Sequence, residues 1–225
     1  ELERLCAHMG SVALFGPAGS GKTRLAMEAA RRLASEGRYR TVHVLDVWAV
    51  HTGEALAQTL LAALQLKPPA RREWTAHRAD LGRALDERGP SLLVLDGIDH
   101  CASALATLSV DWRGVSLLTT SRIAPSLPEV EAIRVEPLPA AAAAELFLRL
   151  AGLGAEHRPL ALRTAQVLNG LPLALEHAAT RTRELGTDVV DDVAIPGGRS
   201  ALHAALTSSW ELADPQLRRS LTALT

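Results

Sequence analysis

Aromatic residues make up only 3% of this 225-residue chain, so Leu, Ala and Val must fill its core. Lysine is scarcer still, with two residues against 22 arginines. Cysteine occurs twice, at Cys6 and Cys101, in no C-x-x-C or Cys/His grouping. That excludes a sequence-encoded metal cluster and reads as two reduced thiols of a cytoplasmic protein. The formal net charge of −1 leaves no global field to draw the chain to nucleic acid or to a membrane. No apolar run reaches membrane-spanning length, and no signal peptide is expected from the opening residues. Nucleophile elbows, H-E-x-x-H helices and EF-hand loops are absent too, and the eight histidines are scattered. The first residue is Glu1 rather than Met, so the chain is expected to be a piece of a longer one. What remains is a globular composition, 48% apolar and 22% charged, with room for one large domain or two smaller ones.

Against that background one stretch stands out. Gly16-Pro17-Ala18-Gly19-Ser20-Gly21-Lys22-Thr23 fits G-x-x-x-x-G-K-[ST] at every fixed position. The apolar run Ser11–Phe15 before it reads as a buried strand, and Arg24 onward reads as a helix. Glycines allow the backbone to wrap a phosphate, with N–H groups and the helix N-terminus facing the anion. Lys22 is then expected to reach the β- and γ-phosphates and the Thr23 hydroxyl to ligate Mg²⁺. A chain that elsewhere uses arginine has kept one of its two lysines where a compact ammonium is needed.

Strands are predicted over 41–46, 91–96, 115–119 and 133–135, with helices ending near Gly37 and spanning 54–64, 74–87 and 101–108. Buried strands alternating with helices imply a parallel sheet covered on both faces. Ligands of such sheets sit beyond the carboxyl ends of the strands. Past Pro137-Leu138-Pro139 the pattern turns wholly helical, over 140–150, 159–168, 171–185 and 201–212. Asp214-Pro215 is an N-cap and N1 pair for a last helix.

Asp96 closes the apolar run Leu92-Leu93-Val94-Leu95, as a Walker B strand delivering a carboxylate to the Mg²⁺ shell would. The next residue, Gly97, cannot orient or deprotonate water. Asp99 is placed to do so, or equally to cap the following helix. His100 reads as structural. Thr119-Thr120-Ser121-Arg122 ends the next strand at the same edge, where Arg122 is a candidate sensor of the γ-phosphate.

Taken together these residues resemble the signal-transducing STAND ATPases, in the branch related to NB-ARC domains, as found in bacterial regulators of the SARP and LuxR types. The matching residues are 16–23, Leu92–Asp96 with Asp99-His100, and Thr119–Arg122. Further on are Leu138-Pro139 with Ala144-Glu145-Leu146-Phe147, Gly170-Leu171-Pro172-Leu173-Ala174-Leu175, and Ser209-Trp210-Glu211-Leu212. The resemblance implies a P-loop NTPase domain over 1–136, with a five-stranded parallel sheet of order 5-1-4-3-2. A helical lid over 137–186 and the truncated start of a winged-helix domain over 187–225 would follow. It implies that Pro172 packs on the adenine, that Arg122 is the sensor arginine, and that Arg24 joins the nucleotide-binding loop. The implied function is an ATP/ADP switch with slow ATPase activity inside a larger signalling or transcription regulator. Full-length self-association, flanking sensor and effector domains, no membrane and no nucleic-acid contact by this segment complete that expectation. Two alternatives stay open: an actively hydrolysing remodelling ATPase, and a degenerate interaction module. In relatives a second acid often follows the Walker B Asp, where Gly97 stands here, and Glu usually occupies the Asp99 position.

Overall fold

A computed structural model describes Leu5 and residues 10–66, 77–110 and 112–187. The described residues belong to two compact units. One comprises the chain to Pro17 together with Gly21–Val135, and the other comprises Ala18–Ser20 together with the chain from Glu136 onward.

The first unit is built on five parallel strands, β1 (Ser11–Phe15), β2 (Thr41–Asp46), β3 (Ser91–Asp96), β4 (Val115–Ser121) and β5 (Val130–Arg134), in the order β2-β3-β4-β1-β5. That is the order expected from the sequence, read from the other edge. Between the strands lie α1 (Lys22–Ser35), α2 (Gly53–Ala63), α3 (His77–Arg88) and α4 (Ala102–Ser109). The interior strand β3 shows why this alternation closes into a layered unit. Leu92 and Val94 point into the cluster that holds Ala26, Ala29 and Leu33 of α1, whereas Leu93 and Leu95 point into the cluster with Leu56, Leu60, Leu81, Leu85 and Leu105. Period-two alternation thus sends apolar side chains to both faces. Each fully buried leucine contributes about 1.5–3 kcal/mol, so aliphatics supply the core that the missing aromatics do not.

The strand over 133–135 needs correction: it runs from Val130 to Arg134. At the sheet edge, Glu131, Ala132 and Arg134 are exposed and only Ile133 is buried, so hydrophobic patterning had little to detect. The third helix is described from His77, and the expected residues 74–76 lie outside the described residues. So do the predicted helices at 201–212 and after Asp214, and all but Thr187 of the expected winged-helix start.

The second unit packs α5 (Ala140–Ala151), α6 (Arg158–Val167) and α7 (Pro172–Leu185) around Phe147, Ala144, Ala161, Leu168, Leu175 and Ala179. Small residues dominate this core and let the helices approach closely. Gly170 turns the chain into α7 at φ +63°, and a Cβ there would lie 2.1 Å from the Leu138 carbonyl oxygen. The two backbones meet because Leu138 N–H donates to Gly170 O at 2.9 Å. Within the same unit, Leu173 N–H donates to Gly19 O at 3.2 Å, next to Pro172 in the first turn of α7. No described helix is long and apolar enough to cross a membrane.

Candidate functional site

Parallel register brings the chemistry to one edge of the first unit. Asp46 pairs with Asp96, and Leu14 and Phe15 pair with Thr120 and Ser121. The phosphate-loop motif, the Walker B carboxylate and the β4 terminus therefore emerge side by side. The loop turns through Gly16, Gly19 and Gly21, all at positive φ, and α1 begins at Lys22. Pro17, Ala18 and Arg24 are exposed, and Ser20 is buried with its Oγ lacking a protein partner. Lys22 Nζ donates to the carbonyl oxygens of Gly16 and Pro17 at 2.9 and 2.8 Å. Its ammonium sits below the usual lysine range because burial disfavours the charge. The carboxylates of Asp99 and Asp96 oppose that effect, and Arg122 adds to it.

Asp96 is held from two sides. Thr23 Oγ1 donates to its carboxylate at 2.8 Å, and Thr120 Oγ1 donates to the same oxygen, Oδ1. Thr120 in turn accepts the Gly97 N–H at 2.9 Å. This relay fixes the rotamer of Asp96 at the end of the apolar run Leu92–Leu95. Thr120 has no place among the motif residues expected to touch nucleotide. Its signal was a polar Thr-Thr-Ser ending in a fully buried strand segment, which demands partners.

The glycine after Asp96 has a steric reason. Gly97 sits at φ +80°, and a Cβ there would lie 3.2 Å from Trp48 Cα, Cβ and Cε3. Any side chain would meet both backbone strain and the Trp48 backbone. Asp99 lies in a 3₁₀ turn (Ile98–His100) and does not cap α4, which starts after Cys101 without a side-chain cap bond. Its Oδ1 instead accepts the backbone N–H of Arg122 at 2.8 Å and lies 3.6 Å from Arg122 Nε. Arg122 also stacks on Trp48, with its guanidinium carbon 4.5 Å from a ring centroid. His100 packs edge-on to Trp48 and against His51.

The structure thus brings Lys22, Thr23, Asp96, Asp99 and Arg122 together at one sheet edge. Pro172 is placed at the start of its helix in the second unit, where its missing N–H costs nothing. The donors around Thr23 and Asp96, a hydroxyl and a carboxylate already in contact, are the hard oxygens that Mg²⁺ prefers beside a substrate phosphate. Among the described residues no group of three or more His, Cys, Asp or Glu side chains could form a metal site made by the protein alone.

This sheet order, with a phosphate loop between its first strand and helix, defines a P-loop NTPase. The family model described as AAA domain matches residues 6–123, and the chain belongs to that family. It is 32% identical over 197 residues to an uncharacterized protein of Mycobacterium tuberculosis, with an equal match in Mycobacterium bovis. Those matches cover 82% of this chain and 49% of the relatives, so the chain spans about half the length of the curated relatives it matches. Among solved structures, a Walker-type ATPase of Pyrococcus abyssi superposes with a TM-score of 0.60 at 13% identity, covering 99% of this chain and 73% of the other. Cdc6p from Pyrobaculum aerophilum gives 0.59 at 16%, covering 83% and 59%. A signal transduction ATPase with numerous domains and a tetratricopeptide repeat sensor, from Pyrococcus horikoshii, gives 0.58 at 15%, covering 95% and 32%. At such identities these likenesses speak for the fold.

Proposed function

We propose that this chain is an ATP/ADP-binding switch module, a slow ATPase, within a larger STAND-type signalling or transcription regulator. The observation that carries this reading is the state of the carboxylates beyond Asp96. Gly97 occupies the place of a second acid and is held to glycine by Trp48, while Asp99 is engaged by the Arg122 backbone and head group. No carboxylate directly after Asp96 is available to orient water, which favours holding a nucleotide over turning it over. That weighs against the remodelling-ATPase alternative.

In this reading the loop residues Gly16 to Thr23, with Arg24, bind the phosphates of the substrate nucleotide. Lys22 neutralises phosphate charge, while Thr23 and Asp96 hold Mg²⁺, which when bound screens charge on the phosphate oxygens. Thr120 keeps Asp96 aimed, Arg122 senses the γ-phosphate, and Pro172 offers an apolar ring face to the base. The domain division at 136–137, the 187–225 winged-helix start, the cytoplasmic setting and self-association of the full-length protein belong to the same proposal. For near-complete conversion, ATP and ADP must favour the two states differently by about 5.5 kcal/mol.

The test is to denature the purified protein and identify the nucleotide released, with Lys22→Ala as control. Stoichiometric ADP from the wild type and none from the variant supports a closed switch. An empty protein with rapid turnover of added ATP refutes the switch in favour of a working ATPase. A wild type that retains and binds no nucleotide would leave the degenerate interaction module.

A further inference from the structure

Trp48 matches no motif, yet it stands 47% exposed in a chain with only four tryptophans, against the arginine that ends β4. We propose that Trp48 is a positioning residue: its ring face holds the Arg122 guanidinium and so sets how readily that arginine turns to the γ-phosphate of a bound nucleotide. The inference rests on the switch reading and adds to it the element that biases the sensor.

Trp48 is itself firmly placed. Val47 N–H donates to Asp96 O at 2.9 Å, and Trp48 N–H donates to the Asp46 carboxylate at 3.0 Å. The Trp48 backbone lies against Gly97, so the indole is tied to the strand end that carries the Walker B carboxylate. His100 braces it, with ring centroids 5.7 Å apart and planes at 66°. Arg122 is held less firmly. Its root is anchored through its backbone N–H to Asp99, while its half-exposed head has two weak holds, the indole face and the Asp99 oxygen at 3.6 Å. A cation over an exposed ring and an exposed ion pair are each modest attractions. A phosphate anion can take over from them, but they still enter the balance between two nucleotides. A ligand shifts such a balance only through its differential affinity for the two arrangements. ADP lacks the γ-phosphate that would compete for Arg122, so the indole hold acts against ATP alone.

The experiment measures Mg-ATP and Mg-ADP affinities calorimetrically for the wild type, Trp48→Leu, Trp48→Phe, Arg122→Ala and the Trp48→Leu/Arg122→Ala double variant. Trp48→Leu is expected to raise the ATP:ADP affinity ratio about two- to five-fold, the size of an exposed cation–π contact. Trp48→Phe, which keeps a ring face, stays near the wild-type ratio. In the Arg122→Ala background, Trp48→Leu leaves the ratio unchanged. An unmoved ratio in Trp48→Leu, or an equal shift with and without Arg122, overturns the inference. As a second readout, the emission difference between wild type and Trp48→Phe should change on adding ATP and not ADP. The same emission with both nucleotides overturns the inference even if Trp48→Leu fails to fold. A wild type that binds neither nucleotide refutes the switch reading and this inference with it. Binding with an unmoved ratio refutes the inference alone.

Discussion

Substituting alanine at Gly97 tests the steric account of the site most directly. Two costs act there. An L-residue in the left-handed region costs about 1–2 kcal/mol, and Gly97 sits at φ +80°. The new Cβ would also lie 3.2 Å from Trp48 Cα, Cβ and Cε3, an overpacking that typically costs about 1–3 kcal/mol. Gly37 separates the two costs, because it has a similar φ of +69° and no atom within 4 Å of a built Cβ. Alanine restricts the unfolded chain equally at both positions, so that effect cancels in the comparison. Gly37→Ala should therefore show the conformational cost alone, and Gly97→Ala should exceed it by about 1–3 kcal/mol. For a unit of this size, about 1 kcal/mol lowers the melting temperature by about 2–4 °C. Thermal unfolding followed by circular dichroism reads this directly. Trp48→Ala should recover part of the Gly97→Ala excess by removing Cε3, and only part, since Trp48 Cα stays. If Gly97→Ala melts no lower than Gly37→Ala, Trp48 does not hold this position to glycine, and the explanation for the missing second acid fails.

Thr120→Val removes the hydroxyl that accepts from Gly97 N–H and donates to Asp96. It should cost about 1–3 kcal/mol in urea unfolding for the unpaired groups and weaken Mg²⁺-dependent more than Mg²⁺-independent nucleotide binding; equal weakening would refute the relay. Gly170→Ala places a Cβ 2.1 Å from the Leu138 carbonyl oxygen at φ +63°. It should unsettle α5–α7 more severely than any other glycine substitution named here, seen as lost amide-exchange protection in those helices, and full protection would contradict the packing described. Burial, with Arg88 adding to it, lowers the pKa of His43 below its ordinary 6.5, and its Nε2 is buried without a partner. The folded state thus favours neutral His43, so its contribution to stability is present above pH 6.5 and is lost as pH falls below it. His43→Gln should flatten the stability profile between about pH 5 and 7 relative to wild type; parallel profiles would exclude His43 as a cause. Lys22→Ala should abolish nucleotide retention, measured by the release assay above.

Much of this was legible without coordinates. The loop at 16–23 carries its meaning in residue types at fixed spacing, because backbone N–H groups at a helix start bind anions whatever surrounds them. Among the described residues the strands and helices followed from local periodicity, and buried strands joined by helices leave little choice but a parallel sheet. Edge strand β5 was legible only in part, since one of its five residues is buried. The Thr23–Asp96 contact was also foreseeable, because the sequence reading assigns both residues to one proposed Mg²⁺ site.

Only the tertiary structure could pair Asp46 with Asp96 and so place Trp48 against Gly97 and beneath Arg122. These residues are far apart in sequence, and none of their types announces the others. Likewise Asp99, equally suited by sequence to cap a helix or to act on water, meets Arg122 rather than a helix start because of where β4 ends. Local sequence determines which groups a chain can offer. Which neighbour each group meets depends on strand register, and that is settled by packing across the whole sheet.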